Sequence, residues 1–298
     1  MLLIVAWGTT FAAVKIGLDS SPPILFAGLR SLLGGAVMAV LAWGRTGRPD
    51  LTGQGRDYTL LTVLNVVLFF GLQTAAIGLL PSGLAAVLIY LQPVLVGVLA
   101  WWLLGEPMTT ARILGLVTGF AGILVVSGGA FAGHVSSTGV ALAVASALAW
   151  ALGTIVFKAT DGRVDVWWAV ALPFLLGGAL LTGVGLVVEG PDVTWSPQFV
   201  LALAFAGIVG TALAWSLWFG LVAAGEAGRA ASYIFFVPLV GVVVGAFLLD
   251  ETLTASLLVG AALVVLGVYL VNRRPRESRA ATDTGLRPGG RPGVRDGT

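Results

Sequence analysis

The chain has little of what soluble catalysis or redox chemistry uses. Its 298 residues include no cysteine and a single histidine, and only 10% of them are charged. Without cysteine the chain forms neither a disulfide nor a thiol nucleophile. The one histidine, His134, falls in a predicted outer loop, and no cluster of metal ligands accompanies it in the sequence. Soluble domains carry about a quarter charged residues, so the composition excludes an ordinary soluble protein.

What the chain has instead is long apolar runs, since 58% of its residues are hydrophobic. A helix needs about 20 apolar residues to cross the hydrocarbon core, and lipid offers the backbone no hydrogen-bond partner. The runs are continuous rather than alternating, which argues against a barrel. We therefore predict an all-α membrane protein whose ten transmembrane helices cover about residues 2–18, 23–43, 58–79, 84–104, 111–128, 139–157, 166–188, 198–222, 230–249 and 254–271.

The basic residues are distributed unevenly between the loops. With the N-terminus placed inside, 14 of the 16 Lys and Arg residues fall on the inner side. The outer loops contain no Lys or Arg, and their charged residues are the acids Asp19, Glu189, Asp192, Asp250 and Glu251. This is the positive-inside pattern, which predicts a multi-pass plasma-membrane protein with both termini in the cytoplasm. The tail, residues 273–298, is basic and rich in Gly and Pro, and we expect it to be disordered.

The motif at the end of one predicted helix occurs twice in the sequence. Pro93, Glu106, Gly115 and Gly122 recur as Pro238, Glu251, Gly260 and Gly267, at a constant offset of 145 residues. A second echo repeats Trp7 and Lys15 as Trp150 and Lys158, at an offset of 143 residues. Five helices in each half would make the second half enter from the opposite side. We therefore predict two inverted five-helix repeats, residues 1–127 and 138–272.

These motifs resemble a known family. The opening WGTTF with Lys15, Arg30 in the second helix and the doubled P–x12–E–x8–G–x6–G spacing are similar to the EamA-type transporters of the drug/metabolite transporter superfamily. The resemblance covers residues 1–272. It implies ten helices in two inverted repeats, a central cavity, and export or exchange of small polar metabolites by alternating access. Arg30 has no twin, because its offset lands on Pro173.

The candidate substrate-binding residues are the few polar and aromatic side chains inside the spans. They are Trp7, Thr10, Lys15, Arg30, Tyr90, Gln92, Trp150, Thr154 and Tyr233. A cation at the depth of Arg30 is unfavourable unless it meets water, a partner or a substrate. Arg30 either attracts a carboxylate or phosphate of the substrate or fixes packing near the outer face. Lys15 could also reach the interface by extending its side chain.

Four further residues are candidates for structural or gating roles. Pro93 and Pro238 lie mid-span and should kink their helices. Glu106 and Glu251 follow the kinked helices, and we expect each to face the N-terminal end of the next helix, as a buttress of the turn. The glycines at four-residue spacing allow close helix contact, within the bundle or in a homodimer.

Several function classes find no support. The spans contain no Asp or Glu, so a carboxylate proton relay is absent. The sequence has no nucleophile elbow, P-loop or dinucleotide fingerprint. We expect no cofactor, no metal and no nucleic-acid partner, only a small-molecule substrate and the lipid bilayer. The leading prediction is a secondary transporter for amino acids or related metabolites. Alternatives are a drug efflux pump, a nucleotide-sugar-type exchanger, a channel and an intramembrane lipid-modifying enzyme.

Overall fold

The computed structural model describes residues 1–104, 109–131, 135–160, 162–223, 234 and 237–272. These residues form helices joined by short connections, so the all-α prediction is confirmed. The helices are α1 (Leu2–Leu18), α2 (Pro23–Thr46), α3 (Gly55–Leu79), α4 (Ser82–Leu103), α5 (Thr110–Phe131), α6 (Ser137–Ala159), α7 (Val166–Val188), α8 (Pro197–Ala223), α9 (Val237–Leu248) and α10 (Ala255–Asn272). Glu106, Tyr233 and the basic tail lie outside the described residues.

Six of these helices, α2, α3, α4, α6, α7 and α8, are long and apolar enough to cross a membrane. The apolar helices α1 and α9 are shorter, as are the stretches Ile113–Gly122 of α5 and Ala255–Gly267 of α10. Lipid-exposed backbone must bond within its own segment, and these helices satisfy that condition along most of their length. The chain is therefore a multi-pass helical membrane protein.

Three helices depart from regular α geometry. Residues Thr62–Leu68 of α3 and Phe205–Leu213 of α8 are π-helical, and the two segments begin 143 residues apart, the offset of the duplicated tryptophans. The helix α4 is interrupted between Ile89 and Gln92. Pro93 follows at once and lacks the N–H that would bond the carbonyl of Ile89. π segments often mark functional sites, and Gly210 of the α8 segment and Tyr90 at the α4 interruption line the cavity described below.

Pro238 is the second residue of α9 as the structure describes it. Residues 235 and 236 lie outside the described residues, so the kink predicted at Pro238 stays a prediction.

The helices contact one another in a symmetric pattern. α2 packs along α7, α4 along α9, and α5 along α10. α1 packs against α8 and α9, while α6 packs against α3 and α4. Exchanging each helix of one half for its counterpart in the other half, α1 for α6 and so on to α5 for α10, leaves this set of contacts unchanged.

Glycines lie at two of these contacts, where they face each other reciprocally. A Cβ added at Gly122 would lie 2.8 Å from the carbonyl oxygen of Gly260, and one added at Gly267 would lie 2.6 Å from that of Gly115. The four duplicated glycines therefore meet each other across the α5–α10 contact. Their small size lets the two backbones approach within one chain.

The α2–α7 contact repeats this arrangement. A Cβ at Gly35 would lie 2.7 Å from the backbone nitrogen of Leu175, and one at Gly178 would lie 2.7 Å from that of Leu32. Both glycines belong to an LLGGA segment, at residues 32–36 and 175–179, again 143 residues apart. This echo strengthens the sequence evidence for duplication.

The two ends of the bundle differ in charge. At one end the Arg45 guanidinium lies over the ring of Trp167, 4.4 Å from its centroid, and Arg163 pairs with Asp57 at 3.4 Å. We call this the basic end. At the other, acidic end Glu189 accepts hydrogen bonds from the N–H groups of Ile24 and Leu25, which begin α2. Carboxylates stabilise helix N-termini in this way.

The expected position of Glu251 was wrong. Its carboxylate does not face α10 but accepts hydrogen bonds from the Ser82 and Gly83 N–H groups, at 2.6 and 3.1 Å, and so caps α4. The α10 start is capped by Thr254, whose hydroxyl accepts from the N–H of Leu257. Asp250 turns the chain here with φ 51°, the left-handed conformation that ends many helices. That turn directs Glu251 across to the first half of the chain.

Candidate substrate cavity

A small cavity lies at the centre of the bundle, where α1, α2, α3, α4, α6 and α8 meet. Its volume is about 20 Å³, which is roughly the space for one water molecule. It is lined by Trp7, Thr10, Phe11, Val14, Arg30, Phe69, Phe70, Gln73, Ile77, Tyr90, Trp150, Gly210 and Trp215. We call this the aromatic cavity, because seven of the thirteen lining residues carry an aromatic ring.

The rings of the wall pack edge to face. The duplicated Trp7 and Trp150 meet with their centroids 5.4 Å apart and their planes at 82°. Tyr90 contacts Trp150 at 5.5 Å and 88°, and Trp215 contacts Trp7 at 6.2 Å and 73°. Such pairs contribute about 0.5–1.5 kcal/mol each beyond their buried area. The interruption of α4 places Tyr90 in this cluster.

Arg30 is the only formally charged side chain among the residues that line the aromatic cavity. It is 1% exposed. One terminal guanidinium nitrogen, Nη2, donates to the side-chain oxygen of Gln73 at 2.6 Å, and the guanidinium lies 4.2 Å from the centroid of Phe70. Its Nε–H is buried without a partner. No described carboxylate, Asp19 of the outer loop included, pairs with it.

The two tryptophans of the duplication differ in their hydrogen bonding. The indole N–H of Trp7 donates to the carbonyl oxygen of Gly210, in the π segment of α8, at 3.2 Å. The indole N–H of Trp150 is buried without a partner. The cavity wall therefore holds two unmatched donors, Arg30 Nε and Trp150 Nε1. Unmatched buried donors are uncommon in proteins and indicate a ligand, a water or strain.

The structure brings five of the nine predicted binding residues together. Trp7, Thr10, Arg30, Tyr90 and Trp150 all line the aromatic cavity. Tyr233 lies outside the described residues.

Gln92 and Thr154 do not line the cavity. The amide of Gln92 donates to the Thr154 hydroxyl at 3.1 Å, and that hydroxyl donates to the carbonyl of Trp150. They support the cavity wall from behind.

Lys15 is not among the lining residues either. Its ammonium donates to the carbonyl oxygens of Ile77 and Leu80, at 2.9 and 3.0 Å. These carbonyls end α3, where a cation is stabilised by the helix dipole. The placement of Lys15 in the cavity was therefore wrong, since the end of α3 lies within its reach.

Sequence reasoning missed part of one wall. Phe69, Phe70 and Gln73 of α3 line the cavity and hold Arg30. A signal existed, because residues three and four apart share a helix face and Gln73 is one of few amides in the spans. Phenylalanine is too common on lipid-facing surfaces to be singled out without that geometry.

Comparison with known proteins now gives the class. The EamA-like transporter family model matches residues 1–128 and 137–273. The chain belongs to this family, so the resemblance and the prediction of a transporter are confirmed.

Curated relatives agree with this class over most of their length. The chain is 41% identical to the uncharacterized transporter YvbV of Bacillus subtilis, over 94% of this chain and 92% of that protein. It is 31% identical to a protein of Salmonella typhimurium named probable amino-acid metabolite efflux pump, over 91% and 92% of the two chains. Both are named as transporters rather than enzymes.

A solved structure shares the fold. It aligns with a TM-score of 0.64 at 22% identity and covers 90% of this chain and 93% of that one. At this identity the likeness concerns the arrangement of helices alone.

Proposed function

We propose that the protein is a secondary transporter that exports or exchanges small polar metabolites, amino acids or compounds related to them, by alternating access. The observation that carries the proposal is Arg30, a cation buried at the centre of the bundle beside a small cavity and with no described carboxylate as partner. Such a charge is unfavourable in a membrane unless it serves a ligand or a partner. The name of the Salmonella relative supports a metabolite as cargo.

The proposed architecture is ten spans in two inverted repeats, residues 1–127 and 138–272. The symmetric helix contacts, the reciprocal glycines and the matching π segments support it. The family model also matches the chain as two stretches. Inverted repeats meeting at a central site are the common construction of alternating-access carriers. An amino acid is several times larger than 20 Å³, so the repeats must move apart at one end to admit it.

We propose the plasma membrane as location, with both termini in the cytoplasm. The basic end, with Arg45 and Arg163, would then face the cytoplasm, in keeping with the positive-inside rule. The acidic end with Glu189 and Glu251 would face outward. A homodimer is a weaker proposal, because the duplicated glycines are already packed within the chain.

Counterflow in liposomes tests this function. Vesicles containing the purified protein are loaded with an unlabelled metabolite and diluted into a trace of the same labelled compound. A carrier accumulates label transiently above the outside concentration, because loaded exchange is faster than net flux. Protein-free vesicles are the control. Flux without this overshoot would contradict alternating access and favour a channel.

A further inference from the structure

The unmatched groups of the aromatic cavity point to a narrower class of substrate. We propose that the cavity selects carboxylic acids without a free ammonium group, such as 2-oxo, hydroxy or N-acyl acids. The indole N–H of Trp150 serves as the second donor beside Arg30. This inference rests on the proposed function and names its substrate class.

Two hydrogen-bond donors of the cavity wall have no acceptor. Arg30 Nε and Trp150 Nε1 are both buried donors without a partner. The side-chain oxygen of Gln73 already accepts from Arg30, and the carbonyl of Gly210 accepts from Trp7. The described lining residues include no carboxylate. The wall therefore offers a ligand two open donors, which suit an acceptor with two oxygens such as a carboxylate.

The duplication shows why Trp150, rather than Trp7, serves the ligand. Both indoles belong to the same wall and meet at 5.4 Å. The N–H of Trp7 is held by the π segment of α8, whereas Trp150 has no such bond although α3 carries a π segment of its own. The second half of the chain therefore accepts the N–H of Trp7, whereas the first half leaves the N–H of Trp150 without an acceptor.

The described lining residues offer a free ammonium no carboxylate as partner. At about 6 Å from the guanidinium, with an effective dielectric constant of about 20, a second positive charge weakens binding roughly 100-fold. Aromatic faces can hold an ammonium. The Trp7 ring, however, is already in contact with the rings of Tyr90, Trp150, Trp215 and Trp218. An amino group that is missing or acylated avoids the repulsion.

An anionic substrate also supplies a driving force for export. The spans carry no acid that could relay protons. A membrane potential of 100 mV, negative inside, favours the exit of a monoanion by about 50-fold in concentration. A zwitterion has no net charge for this potential to act on.

The test compares acids that share one carbon skeleton. The probes are leucine, 4-methyl-2-oxopentanoate and N-acetylleucine, followed by the corresponding phenylalanine set. Each is measured for thermal stabilisation of the purified full-length protein in detergent and for counterflow in liposomes. We expect the oxo and N-acetyl acids to bind at least 30-fold more tightly than the amino acids and to show the faster exchange.

Two matched variants test the donor. Trp150→Phe and Trp7→Phe each remove one indole ring from the wall, but only Trp150→Phe removes an open donor. We expect Trp150→Phe to raise the KM for the oxo and N-acetyl acids about tenfold, and Trp7→Phe to raise it less while lowering the melting temperature through loss of its bond to Gly210. Equal effects of the two variants on KM would overturn the role of Trp150.

The outcomes separate this inference from the proposed function. Amino acids that bind and exchange as well as the acids would overturn the selectivity and leave the transport function standing. Acids that stabilise the protein without any exchange would support the selectivity of the cavity and contradict the transport function. Absence of stabilisation by every probe would overturn the inference.

Discussion

Removal of the Arg30 guanidinium is the sharpest perturbation of the cavity. In Arg30→Ala the only formal charge of the described lining disappears, together with its bond to Gln73 and its contact with Phe70. Arg30→Lys keeps the charge but removes the Nε–H donor and the planar geometry of the guanidinium.

The magnitude follows from the hydrogen bond that the open Nε–H of Arg30 can donate to a carboxylate. A hydrogen bond to a charged group is worth about 1.5–3 kcal/mol, so its loss corresponds to roughly 10- to 150-fold in kcat/KM. Folding should change much less. Losing the contacts to Gln73 and Phe70 is offset by removing a desolvated cation that has no carboxylate partner. We expect Arg30→Lys to recover only part of the flux.

Three measurements on each variant are needed, namely the amount extracted from membranes, the melting temperature and the liposome flux. Arg45→Ala, at the basic end and outside the cavity lining, is the control for loss of an arginine. We expect flux to collapse only in Arg30→Ala, with its melting temperature within a few degrees of the wild type. Near wild-type flux in Arg30→Ala would refute the role of Arg30 in substrate binding. A fall in the amount of extracted protein, with normal flux per remaining protein, would assign Arg30 to packing.

Three further predictions concern the scaffold. Gly122→Val should destabilise the α5–α10 contact by about 1–3 kcal/mol and lower the melting temperature. Gly183→Val, with no atom within 4 Å of its added Cβ, should not. Equal effects of the two variants would refute the close glycine packing between α5 and α10. Glu251→Ala should remove the cap of α4 and lower stability by about 1–2 kcal/mol, compared with the exposed Asp192→Ala as control; an unchanged melting temperature would count against the cap. A reporter fused after Asn272 should be active only in the cytoplasm, and activity only outside would reverse the proposed orientation.

The cavity residues that the sequence predicted best are those in its duplicated segments. Trp7 and Trp150 were identified by their common offset, and the structure places both in one wall. Arg30 was identified because a lone cation in an apolar run is unusual. In these cases the pattern itself carried the chemical information.

Other residues depended on contacts that no local pattern contains. Lys15 bonds carbonyls more than 60 residues away, at the end of α3, and Glu251 caps a helix 168 or more residues earlier in the chain. Local rules assigned Lys15 to the cavity and Glu251 to the adjacent helix. Both assignments failed because helix ends from different parts of the chain meet at the acidic end.

Alternating access to the aromatic cavity is tested most directly by a single cysteine at Thr10, in a chain that has none of its own. Thr10→Cys in sealed vesicles of either orientation is treated with a membrane-impermeant thiol reagent. We predict that the cysteine reacts from both sides of the membrane, and that substrate added on one side slows the reaction from the other. Reaction from one side only, or at rates that substrate on the opposite side leaves unchanged, would contradict a central site with alternating access.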